Sequence, residues 1–196
     1  RAGPSLSQIN AACSIADAMS YLHSKFIVFR DLKPANVGFD SAGVVKLFDF
    51  GFAINIEEST AESNDWSLLY DKCGTLRYMA PEVGLGTGYS LPADCYSFGM
   101  LLWEICALKK PFGKVKSADE FNKTVFEKGI RPKVGKNWPQ GLASLMTNCW
   151  SASPAERPAM SHVKSILKAH VRELSTRQND GNINLRKSSV FRRFTG

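Results

Sequence analysis

Apolar residues return at helical spacing in four stretches of the chain. Ile9, Ala12, Ala16, Met19 and Leu22 recur every three or four positions behind Ser5-Leu-Ser-Gln8, which has capping-box spacing. Phe98, Leu101, Leu102, Ile105 and Leu108 form a second stripe, ended by Lys109, Lys110 and Pro111. Leu142, Leu145, Met146, Cys149 and Trp150 form a third, and Val163, Ile166, Leu167, His170, Val171 and Leu174 a fourth. Ser117 and Glu120 cap a shorter helix that stops at Gly129. The strand signals are few. Phe26 to Phe29 is a short β-prone run. Val37-Gly-Phe39 and Val44-Val-Lys-Leu-Phe48 flank Asp40-Ser-Ala-Gly43, which reads as two strands around a turn. The pattern predicts a short hairpin set among helices, with the stripes as core faces that carry no chemistry.

One stretch has no period. From about Ala53 to Lys72 the chain is polar, with acids Glu57, Glu58, Glu62 and Asp65 and hydroxyls Ser59, Thr60, Ser63, Ser67 and Tyr70. So long a patternless segment inside a domain is usually functional or disordered.

Composition narrows the class. With 44% apolar and 22% charged residues over 196 positions, the chain can bury a core and is not a disordered polymer. The longest apolar stretch, Phe98 to Leu108, contains Glu104 and is too short for a transmembrane segment. The net charge of +7 is uneven. From Ser175 onward Arg177, Arg186, Lys187, Arg192 and Arg193 face the single acid Asp180. Residues 175–196 therefore read as a basic, disordered tail on a folded body of residues 1–174. That body is only mildly basic, so no nucleic-acid partner is expected. The five cysteines make no Cys-x-x-Cys pair, which points away from zinc and disulfides. A reducing compartment, cytoplasm or nucleus, is expected. The chain opens on Arg1 rather than Met, the mark of a piece of a longer polypeptide.

Chemistry concentrates between the β-prone runs. In Arg30-Asp31-Leu-Lys33-Pro-Ala-Asn36, a carboxylate, an ammonium and an amide stand within a few positions on a Pro-containing loop. The carboxylate can accept a proton from an alcohol and the Lys can neutralise phosphate oxygens. The Asn carbonyl can ligate a hard cation such as Mg²⁺. Asp49-Phe50-Gly51 follows the second strand, where a carboxylate can reach a metal and Gly permits a backbone swing. Each motif alone is equally a surface loop.

Their order decides between these readings. After those two come Gly74-Thr75-Leu-Arg-Tyr-Met-Ala80-Pro81-Glu82, Asp94-Cys-Tyr-Ser-Phe-Gly99, and Cys149-Trp150 with Pro154-Ala-Glu-Arg157-Pro158. The set resembles the eukaryotic protein kinase family over Ser5 to Leu174. It is similar in particular to serine/threonine members of the tyrosine-kinase-like group. The resemblance implies an α+β kinase-like fold, represented by a mostly α-helical C-lobe with a short β-hairpin and no N-lobe. It implies ATP and Mg²⁺ as cofactors, protein substrates, and an upstream activating kinase. It makes Asp31 the catalytic base and places Lys33 on the γ-phosphate. Asn36 and Asp49 would be the metal ligands, and Lys33, Asn36 and Asp49 the nucleotide-binding residues. It puts Thr75 beside Asp31, pairs Glu82 with Arg157, and ties the catalytic loop to a central helix through Asp94. Arg30 would receive a phosphate carried by the segment Asp49 to Glu82.

Two features depart from the family. No Gly-x-Gly-x-x-Gly and no Val-Ala-x-Lys strand precede the loop, so the chain holds one wall of the nucleotide cleft and should transfer phosphate poorly by itself. Phe29 stands where a His is usual; it keeps a ring for packing under Phe50 but has no hydrogen bond to give. These departures leave a second reading, a non-catalytic, pseudokinase-like interaction module. Cys73, beside Lys72, is a candidate redox-sensitive thiol against the plainer reading of an inert one.

Overall fold

The first helix, α1 (Leu6–His23), starts where the capping spacing put it. The Ser5 amide donates to Gln8 Oε1 at 2.8 Å, and the Gln8 amide donates to Ser5 Oγ at 3.4 Å. The computed structural model describes residues 3–56 and 69–191, with side chains as far as 176. The acids Glu57, Glu58, Glu62 and Asp65 and the hydroxyls Ser59, Thr60, Ser63 and Ser67 lie outside the described residues.

Four short strands follow α1 among the described residues: β1 (Ile27–Val28), β2 (Val37–Phe39), β3 (Val45–Leu47) and β4 (Ile54–Asn55). The predicted hairpin is β2 and β3, antiparallel, with Val37 opposite Leu47 and Phe39 opposite Val45. Its turn is closed by Asp40, whose Oδ1 accepts the Ala42 and Val44 amides at 2.9 Å each. A second antiparallel pair joins β1 to β4, Val28 opposite Ile54.

The helices then build the core. They are α2 (Pro81–Leu85), α3 (Pro92–Ala107), α4 (Ala118–Phe121), α5 (Gln140–Cys149) and α6 (Met160–Phe191). The predicted helix from Ser117 to Gly129 begins as α4 and loosens into π-helical geometry over Asn122–Glu127. α3 is central, with every residue from Ala93 to Leu102 buried. α1 packs on α3 and α6, and α5 packs on α3 and α6. The α3–α5 approach depends on Gly99, where a Cβ would stand 2.8 Å from Cys149 Cβ. A satellite cluster of Phe121, Val125 and Phe126 sits under Phe112.

One expectation shifts. Leu108, placed at the end of an apolar stripe, is the left-handed C-cap of α3, with φ 51° and 79% exposure. Helix α6 continues to Phe191. No helix among the described residues is long and apolar enough to cross a membrane. The helix-rich, strand-poor architecture agrees with the expected α+β class.

Candidate active site

The site is built on a loop that hangs from α3. Asp94, in the first turn of that helix, is fully buried. Its carboxylate accepts the Phe29 amide at 2.7 Å, the Arg30 amide at 2.8 Å and His23 Nε2 at 3.0 Å. A buried carboxylate is tolerated only when partnered in this way. The grip holds Arg30 in the left-handed region, φ 70°, which costs a non-glycine residue energy. Lys33 is then extended, and Pro34 opens a 3-10 turn through Asn36 that delivers the chain into β2.

Asp31 lies on the far side of that grip, only 3% exposed. Its Oδ2 accepts Lys33 Nζ at 2.6 Å and Asn36 Nδ2 at 3.1 Å, and its Oδ1 accepts the Thr75 amide at 2.8 Å. Lys33 Nζ also donates to Thr75 Oγ1 at 2.9 Å, so residues 31, 33, 36 and 75 form one network. The amide of residue 75 can enter it because residue 74 is Gly. At φ 98°, a Cβ there would lie 2.3 Å from the Arg30 carbonyl oxygen.

Asn36 uses both amide hydrogens inward, on the Asp31 carbonyl oxygen at 2.9 Å and on Asp31 Oδ2. Its Oδ1 is left as an acceptor. Asp49 differs from the three residues it was expected to join. It makes no direct bond to Asp31, Lys33 or Asn36 among the described residues, and is linked to them through the chain. The Phe48 amide donates to the Asn36 carbonyl at 2.9 Å, and the Phe50 ring meets Phe29 edge-on with centroids 5.2 Å apart. Asp49 is exposed and left-handed at φ 59°, and among the described residues its Oδ1 accepts only the Gly51 amide, at 3.4 Å.

These donors suit a hard cation that brings ligands of its own. Asn36 Oδ1 and the Asp49 carboxylate are oxygen donors with open lone pairs. No cluster of three or more His, Cys, Asp or Glu among the described residues could hold a metal alone. Mg²⁺ takes only one or two protein oxygens and completes its shell with phosphate and water, so the pair fits Mg²⁺ carried on a nucleotide. Phe29 keeps the ring role expected of it, fully buried under Phe50.

The segment after Asp49 is tied down at both stems by Arg30. The guanidinium donates to the Phe52 carbonyl, to Asp71 Oδ2 at 2.7 Å and to the Tyr89 hydroxyl at 3.2 Å. Tyr89 donates to Asp71 Oδ1 at 2.9 Å. Burial and the Cys73 and Asp71 neighbours push the Tyr89 hydroxyl well above its ordinary pKa, so it remains a donor. Partial burial would raise the Asp71 carboxyl, but the Tyr89 and Arg30 hydrogen bonds and the Arg30 charge outweigh it and hold it low. Further along, Ser97 Oγ donates to the Tyr78 carbonyl at 2.8 Å, and the Tyr78 hydroxyl donates to Glu104 Oε2 at 2.6 Å. Buried Arg157 grips buried Glu82 with two nitrogens, NH2 to Oε2 at 2.8 Å, and lies over the Tyr96 ring.

Four of these partnerships have no local signal in the sequence. His23 looks like a helix-end residue and is instead a donor to Asp94. Arg30, Asp71 and Tyr89 meet across 41 and 59 positions. The Cys73 thiol is raised by burial and lies 3.4 Å from the Tyr89 hydroxyl, which favours the inert reading over the redox one.

Known proteins are similar to this chain in sequence. The family model for the protein kinase domain matches residues 6–167. Over 156 residues the chain is 35% identical to mitogen-activated protein kinase kinase kinase 7 of Homo sapiens, covering 78% of this chain and 24% of that protein. Over 172 residues it is 34% identical to a "Probable LIM domain-containing serine/threonine-protein kinase" of Dictyostelium discoideum, covering 88% of this chain and 25% of that protein. The chain thus spans about a quarter of the length of these two curated relatives. A family match across most of the described residues, with serine/threonine kinases among the relatives, places the chain in the eukaryotic protein kinase family, in its serine/threonine, tyrosine-kinase-like branch.

Proposed function

We propose that this chain is the C-terminal lobe of an active protein kinase that transfers the ATP γ-phosphate to Ser or Thr of protein substrates. The observation that carries the reading is the Asp31 network. One carboxylate is fixed by Lys33, Asn36 and the Thr75 amide, beside two oxygen donors, Asn36 Oδ1 and Asp49, left open.

Asn36, Asp49 and Lys33 would hold Mg²⁺·ATP, which when bound would supply the phosphoryl group and the positive charge that offsets its oxygens. Asp31 orients the substrate hydroxyl and takes its proton on Oδ1, the oxygen with a single donor. Lys33 Nζ, already on Asp31 Oδ2, has a further hydrogen for a phosphate oxygen. Asn36 keeps the Asp31 carboxylate from rotating. Gly74 keeps the Thr75 amide in place.

Support for a covering lobe comes from the aromatic edge beside the site. Phe48, Phe50 and Phe52 are 51%, 48% and 42% exposed, apolar area that a partner layer would bury. The same edge and Phe29 favour the second reading, a non-catalytic interaction module.

The test is transfer of labelled γ-phosphate from Mg²⁺·ATP by the full-length protein to matched Ser, Thr and Tyr peptides. Labelling of Ser and Thr peptides, reduced roughly 100-fold or more in Asp31→Asn, is expected for a general base. Partner binding with no transfer by the wild type would favour the interaction module instead.

A further inference from the structure

The Arg30 guanidinium, which the family resemblance reserves for a phosphate, already has an anion. Asp71 Oδ2 lies 2.7 Å from NH1, and Tyr89, whose hydroxyl takes 3.2 Å from the same nitrogen, closes the ring by donating to Asp71 Oδ1 at 2.9 Å and reaching the Asp71 carbonyl at 3.1 Å. Each polar group is used in a consistent sense. The guanidinium only donates, the carboxylate only accepts, and the single Tyr89 hydrogen goes to Asp71. The Arg30 side chain is 11% exposed, so a phosphate would have to displace Asp71 to reach it.

The ring also has mechanical leverage. Arg30 is adjacent to Asp31, and its backbone amide is bound by Asp94. Its Nε holds the Phe52 carbonyl at the start of the segment, while NH1 holds Asp71 near its end. Leu69 and Tyr89 pair as an isolated antiparallel bridge, with N–H to O distances of 2.8 and 2.9 Å in the two directions. Three residues beyond Asp71 comes Gly74, and then Thr75, whose amide binds Asp31 Oδ1.

We propose that Asp71 is a built-in carboxylate clasp that holds the segment's stems against the catalytic loop with no phosphate, and so is a positioning residue for Asp31 through Arg30, Gly74 and Thr75. The upstream kinase expected from the family is then not needed to order this stem. As to catalysis this rests on the kinase reading above; as to order it does not.

Asp71 is 58% exposed at its side chain, so its variants retain the fold. The test compares full-length wild type, Asp71→Asn, Asp71→Glu and Tyr89→Phe, each before and after phosphatase treatment. Hydrogen exchange of the amides at 69–75 is read alongside kcat and KM for ATP. In the phosphatase-treated wild type, slow exchange and kcat should persist. Asp71→Asn should speed exchange about tenfold and lower kcat about tenfold with KM for ATP unchanged, the scale of one charge-assisted contact partly screened by water. Asp71→Glu should restore most of both, and Tyr89→Phe should show a smaller loss. Exchange in Asp71→Asn equal to wild type, or protection lost from wild type on dephosphorylation, would overturn the clasp. A wild type that transfers no phosphate but keeps slow exchange, lost in Asp71→Asn, would overturn the kinase reading and leave the clasp standing.

Discussion

The Glu82–Arg157 pair and the Asp49–Asn36 pair are both charged or polar side chains on the same domain, but their hydrogen-bonding capacity is used differently. Arg157 donates to both Glu82 oxygens, to the Ser151 carbonyl at 3.0 Å and to the Pro92 carbonyl at 3.1 Å, and it is 6% exposed. Little is left over for a ligand. Asp49 is exposed, strained at φ 59°, and among the described residues accepts one long bond from its own turn. The first arrangement holds elements together. The second keeps oxygen donors open at a fixed place, which a phosphate-borne cation requires. A charged residue is therefore better judged by its unused lone pairs than by its charge.

The largest effect that separates the two regions is on rate. Asp31→Asn keeps an acceptor for the Thr75 amide, sets an amide nitrogen against Lys33 Nζ and Asn36 Nδ2, and loses the base, so transfer by the full-length protein should fall roughly 10²- to 10⁴-fold. Its urea midpoint should fall less than that of Arg157→Ala; an equal or larger drop would make Asp31 a structural residue like Glu82. Arg157→Ala should do the converse. It leaves Glu82 buried without its partner, and chemical denaturation should show a loss of about 3–5 kcal/mol. A loss under about 1 kcal/mol would mean that the pair is as dispensable as a surface one.

A finer test uses two rings of one contact. Phe29 is 0% exposed and Phe50 48%, with their planes at 79°. Phe29→Ala should cost about 3–5 kcal/mol as a core truncation. Phe50→Ala should cost about 1 kcal/mol, the scale of the edge-to-face contact with little burial behind it. Equal costs would place Phe50 in the core rather than on the open face.

The smallest effect is in thiol chemistry. Burial pushes the Cys106 thiol up to about 12, so at pH 8 it is neutral and poorly nucleophilic. Its alkylation, followed by mass spectrometry, should be far slower than that of a free thiol and should rise about tenfold per pH unit until the raised pKa is approached. Cys73, also raised by burial, should lag a free thiol too. Rapid modification of Cys73 at pH 7 would revive its redox reading.

Much of this architecture was legible because it is periodic or local. The stripes behind Ser5, at Phe98, at Leu142 and at Val163 became α1, α3, α5 and α6, since a helix repeats its buried face every few residues. The hairpin was legible from Asp40-Ser-Ala-Gly43, whose side-chain-closed turn is a local event. The five-residue α2 is too short to show a period. The β1–β4 pairing joins two-residue strands far apart in sequence. Leu108 misled because an apolar residue at the right spacing can still be the cap that leaves the core. In the site, Asp31, Lys33 and Asn36 stand close in sequence and were found together in space. His23, Asp71 and Tyr89 were not, because their partners are set by the fold rather than by spacing.

The open donors at Asn36 and Asp49 are proposed here as a seat for Mg²⁺ on a nucleotide. Calorimetric titration of the full-length protein with ATP, with Mg²⁺ and with the cation chelated, tests it most directly when repeated on Asp49→Asn. Wild type should bind ATP more tightly with Mg²⁺ than without, and Asp49→Asn should lose that Mg²⁺-dependent increment while keeping the wild-type melting temperature. Equal binding with and without Mg²⁺, or an increment that survives in Asp49→Asn, would contradict the account.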